Sequence, residues 1–490
     1  MQQDKPVTPP TMLFSEASNG HMLAEVLAEG SSSAASSARG TLRGIAMLVT
    51  PTAKLATGYT DQARLIIAAF VIVLVSELIG IVNVPVGPGK IVLLPMLWAL
   101  LIGAVWSVAG DRLPAPLQIG TALQRRAAAI VQIGVLIFVA KLGLLVGASL
   151  PKLATAGWAL IFQELGHFFG TMALGLPLAL ILGIKREAIG ATFSIGREPS
   201  IAIIAEKYGM QSAEGRGVLA EYITGTILGA AFIALLASFV VSLGIFNPLA
   251  LAMGAGVGSG SMMTAASAAI AALQTPEVAK EVAAFAAASN LMTTVVGIYF
   301  TLYISLPFTT WAYAKLEPLI GRTTAASTTT LPEPIDAADH PVAAAPHVID
   351  IGHVLMWIAV GLIALTGNWI TFKTAPDAEV IGGLAIIIAV VMAGYALYAL
   401  TRSKIAAIVW VSVIAMLLTF PGLPTAASVA ALTGKINFVA LATPILAFAG
   451  LAVAKDLPAF RKLGWRIVVV SLAANAGTFL GATVIAQALL

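Results

Sequence analysis

Apolar residues run through this chain in long blocks separated by short polar turns. The blocks fall at about 65–84, 91–108, 128–149, 156–183, 186–208, 215–245, 247–274, 281–313, 351–372, 380–400, 404–420, 436–454 and 465–489. Most are long enough to cross a hydrocarbon layer of about 30 Å as a helix. The pattern predicts an all-α polytopic membrane protein. Residues 1–63 are polar and small, and read as a disordered cytoplasmic tail; the first apolar run begins at Leu65, too deep for an ordinary signal peptide. Residues 322–350, rich in Thr, Ala and Pro, read as a linker between a first transmembrane block at 64–321 and a second at 351–490.

Two blocks carry breaks. In 186–208, Gly196, Arg197, Glu198 and Pro199 sit mid-block, and a proline favours the first turn of a new helix. In 247–274, glycines recur at 254, 256, 258 and 260. Neither centre is expected to hold a continuous helix, and each arm reaches only to about the midplane.

The chain also repeats itself. Residues 143–171 align without a gap on 450–478: Gly143-Leu144 on Gly450-Leu451, Leu150-Pro151 on Leu457-Pro458, Gly157-Trp158 on Gly464-Trp465, and Gly170-Thr171 on Gly477-Thr478. A weaker match lays 220–229 over 288–297, setting Glu221 over Ser289, Tyr222 over Asn290 and Thr226 over Thr294; one residue of slippage brings Ser200 over Ser267. Loop Lys and Arg residues favour a cytoplasmic N-terminus. Reading both broken blocks as re-entrant hairpins makes every repeat pair inverted. The expectation is therefore two inverted repeats, about eleven crossings plus two hairpins, with a periplasmic C-terminus in an inner membrane. The alternative is thirteen crossings with crossed broken helices.

Composition agrees. Hydrophobic residues make up 59% of the chain and charged ones 10%, against roughly 25% charged in a soluble domain. The net charge of +4 gives no reason to expect nucleic acid. With no cysteine, thiolate metal sites and disulfides are excluded, and the five histidines show no metal-ligand spacing. There is no Walker A loop, HExxH or GxSxG, so neither ATP drive nor hydrolysis has a signature and no enzyme is expected.

Broken helices from inverted repeats, meeting at mid-membrane, are the architecture of secondary transporters. Half-helix N-termini favour an anion. The candidate substrate residues are Arg197, Ser200, Gly258, Ser259, Gly260, Ser261 and Thr264. Arg197 could clamp a carboxylate or pair internally with Glu198 or Glu221. Glu198, Glu221, Asn290, Thr294 and Glu164 are candidates for ion or proton coupling, with hydrogen bonding between helices as the alternative role. Glu77 and Asn475 are weaker candidates of the same kind. Glu164 and His167 share a helix face, and Lys141 is expected to neutralise Glu164. Trp158 and Trp465 read as interfacial anchors.

The paired LP and GW dipeptides, with the Gly-rich breaks, resemble the bile acid/arsenite/riboflavin-type transporter superfamily. The segments GREPSIAIIAEKYG and LAFAGLAVAKDLP resemble an uncharacterised family of bacterial inner-membrane proteins, over residues 64–490. The related keto-deoxygluconate, citrate and glutamate carriers imply carboxylate transport driven by Na⁺ or H⁺. GREPS stands here where those carriers have a run of glycines. The expected function is secondary transport of a small organic anion, with no cofactor beyond Na⁺ as a coupling ion. A cation/proton antiporter and a non-transporting ligand sensor are the alternatives. A homodimer is compatible with such a scaffold.

Overall fold

The computed structural model describes residues 59–195, 197–209, 212–256, 258–321, 351–401, 405 and 407–490. The 322–350 linker and all but the last five residues of the N-terminal tail lie outside them. Helix α1 (Tyr59–Ile79) leads into strands β1 (Val82–Val86) and β2 (Gly89–Leu93), then α2 (Pro95–Ala109), α3 (Thr121–Thr155) and α4 (Gly157–Ile181). The first broken block gives α5 (Glu187–Thr192) and α6 (Arg197–Lys207); α7 (Ala213–Thr224) passes through a π turn at Gly225–Gly229 into α8 (Ala230–Ser242). The second gives α9 (Pro248–Ala255) and α10 (Gly260–Ala271), and α11 (Pro276–Phe300) passes through a π turn at Thr301–Ser305 into α12 (Leu306–Ile320). The rest comprises α13 (Ile351–Ile370), α14 (Ala378–Leu400), α15 (Ala407–Leu418), α16 (Ala426–Gly434), α17 (Phe438–Ala452), α18 (Leu457–Lys462) and α19 (Trp465–Leu489).

Eight helices among the described residues are long and apolar enough to cross a bilayer. The chain is an all-α, multi-pass membrane protein with one departure among the described residues, the β1–β2 hairpin. Its strands pair antiparallel with Val86 opposite Gly89, so Gly87 and Pro88 form a two-residue turn. Val82, Val84 and Val86 alternate with polar or proline positions, which suits a strand better than a helix end. The apolar block at 91–108 therefore begins as a strand, and its helix is only 15 residues long. The turn implied between the blocks at 128–149 and 156–183 is largely helical instead: α3 continues through Pro151 to Thr155 before turning into α4.

The tightest packing is the crossing of α4 with α19, both 25 residues long. Lipid tails are as apolar as leucine, so helices in a bilayer gain by close approach rather than by hydrophobic burial. Gly166 and Gly170 of α4 meet Gly481 and Gly477 of α19, in antiparallel order. A Cβ on Gly170 would lie 2.1 Å from the carbonyl oxygen of Gly477, and one on Gly477 2.1 Å from that of Gly170. Beside them the hydroxyls of Thr171 and Thr478 hydrogen-bond to each other across 307 residues of sequence. Gly170 with Gly477, and Thr171 with Thr478, are pairs of the 143–171/450–478 alignment, so each of these four meets its own repeat mate. Around the crossing, α3 packs on α15, where Thr419 just past the end of α15 donates through Oγ1 to Leu144 O at 2.8 Å, and α17 packs on α2, where Ala454 in the turn after α17 donates through its N–H to Ser107 Oγ at 3.1 Å. Trp158 and Trp465 stand at the matching N-terminal ends of α4 and α19, and both are exposed.

Candidate functional site

Both breaks are present where glycine and proline place them. Between α5 and α6, residues 193–195 leave the helix, and Pro199 sits in the first turn of α6. Gly196, and the side chains of Arg197 and Glu198, lie outside the described residues. Between α9 and α10, Gly258 has φ of +95°, a conformation side-chain-bearing residues rarely adopt. Ser259 then caps α10, its Oγ accepting from Met262 N at 3.3 Å and lying 3.1 Å from Ser261 Oγ.

Each first arm is tied down. At the start of α5, Arg186 Nε and Nη2 donate to Glu214 at 2.8 and 2.5 Å, and Arg216 Nη2 of α7 donates back to Glu187 at 2.8 Å. At the end of α9, α11 donates to carbonyls of the last turn: Ser289 Oγ to Met253 O, which also accepts from Gly256 N, and Asn290 Nδ2 to Gly256 O, both side-chain bonds at 2.8 Å.

The breaks abut. A Cβ on Gly258 would lie 3.2 Å from Ile195 Cδ1 of the other break. Between them is a cavity of about 210 Å³. Ser194, Pro199 and Ser200 line it from the first break, and residues 258–261 from the second. Helix α11 and the following π turn add Asn290, Thr293, Thr294, Gly297 and Thr301; α4 adds His167 and Phe168. Val131, Val135 and Ile408 supply an apolar wall, with Gln132 among them. A water needs only about 10–15 Å³ measured this way, so a small solute has room. The first turns of α6 and α10 both border the space, which gives it two positive helix ends. Among the described lining residues none is Asp, Glu, Lys or Arg.

The structure thus gathers Ser200, Gly258, Ser259, Gly260, Ser261, Asn290 and Thr294 around one cavity. It leaves Thr264, Glu221 and Glu164 outside the described lining. Thr264 Oγ1 bonds back to Gly260 O at 2.6 Å within its own helix. Glu221 is buried on α7 beside the π turn and does not line the cavity. Glu164 stands behind the lining: its Oε1 accepts from the cavity residue Thr293 at 2.6 Å and from Gln163 at 2.7 Å. Lys141 is not the partner of Glu164. Its Nζ donates to Thr433 O at 2.6 Å, near the C-terminal end of α16, where a cation offsets the helix dipole. Glu77 lies elsewhere, accepting from Thr371 at 2.5 Å, and the Asn475 amide turns back to Ser471 O at 2.7 Å.

Sequence reasoning does not single out Thr293, Ser194 or the cavity position of His167. Thr293 adjoins Thr294, and only the helix face decides which one reaches Glu164.

No curated protein and no solved structure matches the chain. Residues 74–315, just under half of it, cover both breaks together with α4 and α11 but not α19, and they match the family model described as a protein of unknown function (DUF3100).

Proposed function

We infer that this protein is a secondary active transporter of a small carboxylate, driven by Na⁺ or H⁺. One observation carries the reading: two helix breaks from different parts of the chain present their second-arm N-termini to a single cavity. Positive helix ends and hydroxyls suit an anion there, and broken helices facing each other are how secondary transporters build a mid-membrane site.

The antiparallel meeting of repeat mates at the α4/α19 crossing supports an inverted repeat, because a two-fold axis through that crossing exchanges Gly170 with Gly477 and Thr171 with Thr478. The arms α5, α6, α9 and α10 have 6, 11, 8 and 12 residues. At 1.5 Å per residue none exceeds about 18 Å, which supports half-crossings: two re-entrant hairpins within eleven crossings, cytoplasmic N-terminus, inner membrane. Alternating access would then move the breaks, with α7 and α11, against the other helices.

Thermal stability of the purified protein across a panel of carboxylates tests this, with sodium salts compared to potassium salts and Arg197→Ala alongside. A ligand at 100 times its Kd stabilises the folded state by about 2.7 kcal/mol. The expected result is that one or more carboxylates raise the melting temperature of the wild type and do so less for the variant. If only Na⁺ or pH shifts the melt, and the variant responds as wild type does, the cation/proton antiporter replaces this reading.

A further inference from the structure

We propose that His167 is a substrate ligand, its ring N–H donating to an oxygen of the carboxylate held in the cavity between the breaks. The inference rests on the carboxylate reading above and names a residue that the helix ends alone do not supply.

His167 is fully buried and lines the cavity, and neither Nδ1 nor Nε2 has a hydrogen-bond partner among the described residues. A buried imidazole whose job is structural ordinarily spends both nitrogens on protein partners, because leaving them unmet costs the full desolvation of each. Its helix neighbour Glu164 does not account for it. That carboxylate is held through Oε1 by Thr293 and Gln163, and its Oε2 has no partner either. A metal does not account for it: among the described residues no three His, Cys, Asp or Glu side chains gather. The ring also packs against Phe168, with centroids 4.6 Å apart, a contact that uses neither nitrogen.

A second side chain shares the condition. Ser200, in the first turn of α6, is buried, lines the same cavity and has no partner for its Oγ among the described residues. Two unpartnered polar groups from two separate elements therefore border one space. A carboxylate offers two oxygens with about four acceptor positions, and so can take an imidazole N–H and a hydroxyl together. A neutral imidazole keeps one ring N–H to donate, which is all that this contact requires.

The test compares wild type with His167→Phe, which keeps an aromatic ring but no nitrogen, and His167→Gln, which keeps a donor. Each is melted without ligand and then titrated with lactate, succinate, citrate and glutamate. The ligand-free melting temperature of His167→Phe is expected to equal or exceed that of wild type, because no protein hydrogen bond is lost. Its Kd for the carboxylate that stabilises wild type is expected to rise at least tenfold, and His167→Gln is expected to recover part of that loss. An unchanged Kd in His167→Phe overturns the inference and leaves the transport reading standing. A large ligand-free drop in both variants makes His167 structural, and overturns it too. If none of the four stabilises wild type, the carboxylate reading itself falls, and this inference with it.

Discussion

Replacing Gly170 with valine is expected to destabilise the folded protein strongly. The added Cβ would lie 2.1 Å from the Gly477 carbonyl oxygen, and backbone on the facing helix cannot rotate away as a side chain can. Helices α4 and α19 must separate, losing the Thr171–Thr478 hydrogen bond and the Gly166–Gly481 approach together. Overpacking of this kind costs about 1–3 kcal/mol and occasionally more, and at this position one site strains the whole crossing. The reciprocal change Gly477→Val meets the Gly170 carbonyl at the same 2.1 Å and is expected to cost a similar amount. The double variant is the sharper test. Once the helices have moved apart, the second valine adds little, so the two costs should fall short of additive by about 0.5–3 kcal/mol. Unfolding of the four proteins in detergent or bicelles would measure this. Strict additivity would mean that the two glycines do not share one contact.

Gly258→Ala is expected to weaken carboxylate binding strongly while leaving the fold in place. A residue with a Cβ held at φ of +95° stores about 1–3 kcal/mol of strain, and that Cβ would also press on Ile195 Cδ1 at 3.2 Å. The strain is relieved most directly by turning the Ser259 cap and the first turn of α10, which border the cavity. A fall in affinity of tenfold or more should follow. Gly422→Ala is the control: its φ is +104° and nothing lies within 4 Å of the added Cβ, so it bears a backbone cost between α15 and α16 with no line to the cavity. Ligand titration by thermal shift separates the two. If Gly258→Ala binds as tightly as Gly422→Ala, the geometry of the second break does not shape the site.

Much of this arrangement is legible in the sequence because it rests on residues with one physical use. Pro199 and Gly258 mark breaks in any context, and the dipeptides shared by 143–171 and 450–478 mark helices that meet their own mates. The spacing of Gly166 with Gly170, and of Gly477 with Gly481, holds the crossing itself: small residues four apart on both helices let backbones touch. That pattern stands in the sequence beside the matched Gly-Thr pair. Other features depend on which way a helix face turns. Adjacent apolar blocks suggest Lys141 as the partner of Glu164, yet Lys141 bonds a carbonyl of α16, a nine-residue helix too short to register as an apolar block. Glu221 and Thr264 belong to the right segments but on faces turned from the cavity, whereas Thr293 and His167 are on faces that reach it. The hairpin at 82–93 is hidden because its valines and isoleucines raise local hydropathy as a helix would.

A cavity between the breaks that serves transport must carry its solute across the membrane. Counterflow tests it most directly. Proteoliposomes loaded with the unlabelled carboxylate that stabilises the purified protein are diluted into a trace of the same compound carrying a radiolabel. Transient accumulation of label above its outside concentration is expected, reduced at least tenfold in Gly258→Ala. Binding of that carboxylate by the protein, with no label accumulated in intact vesicles, would contradict it and leave a membrane protein that senses its ligand without moving it.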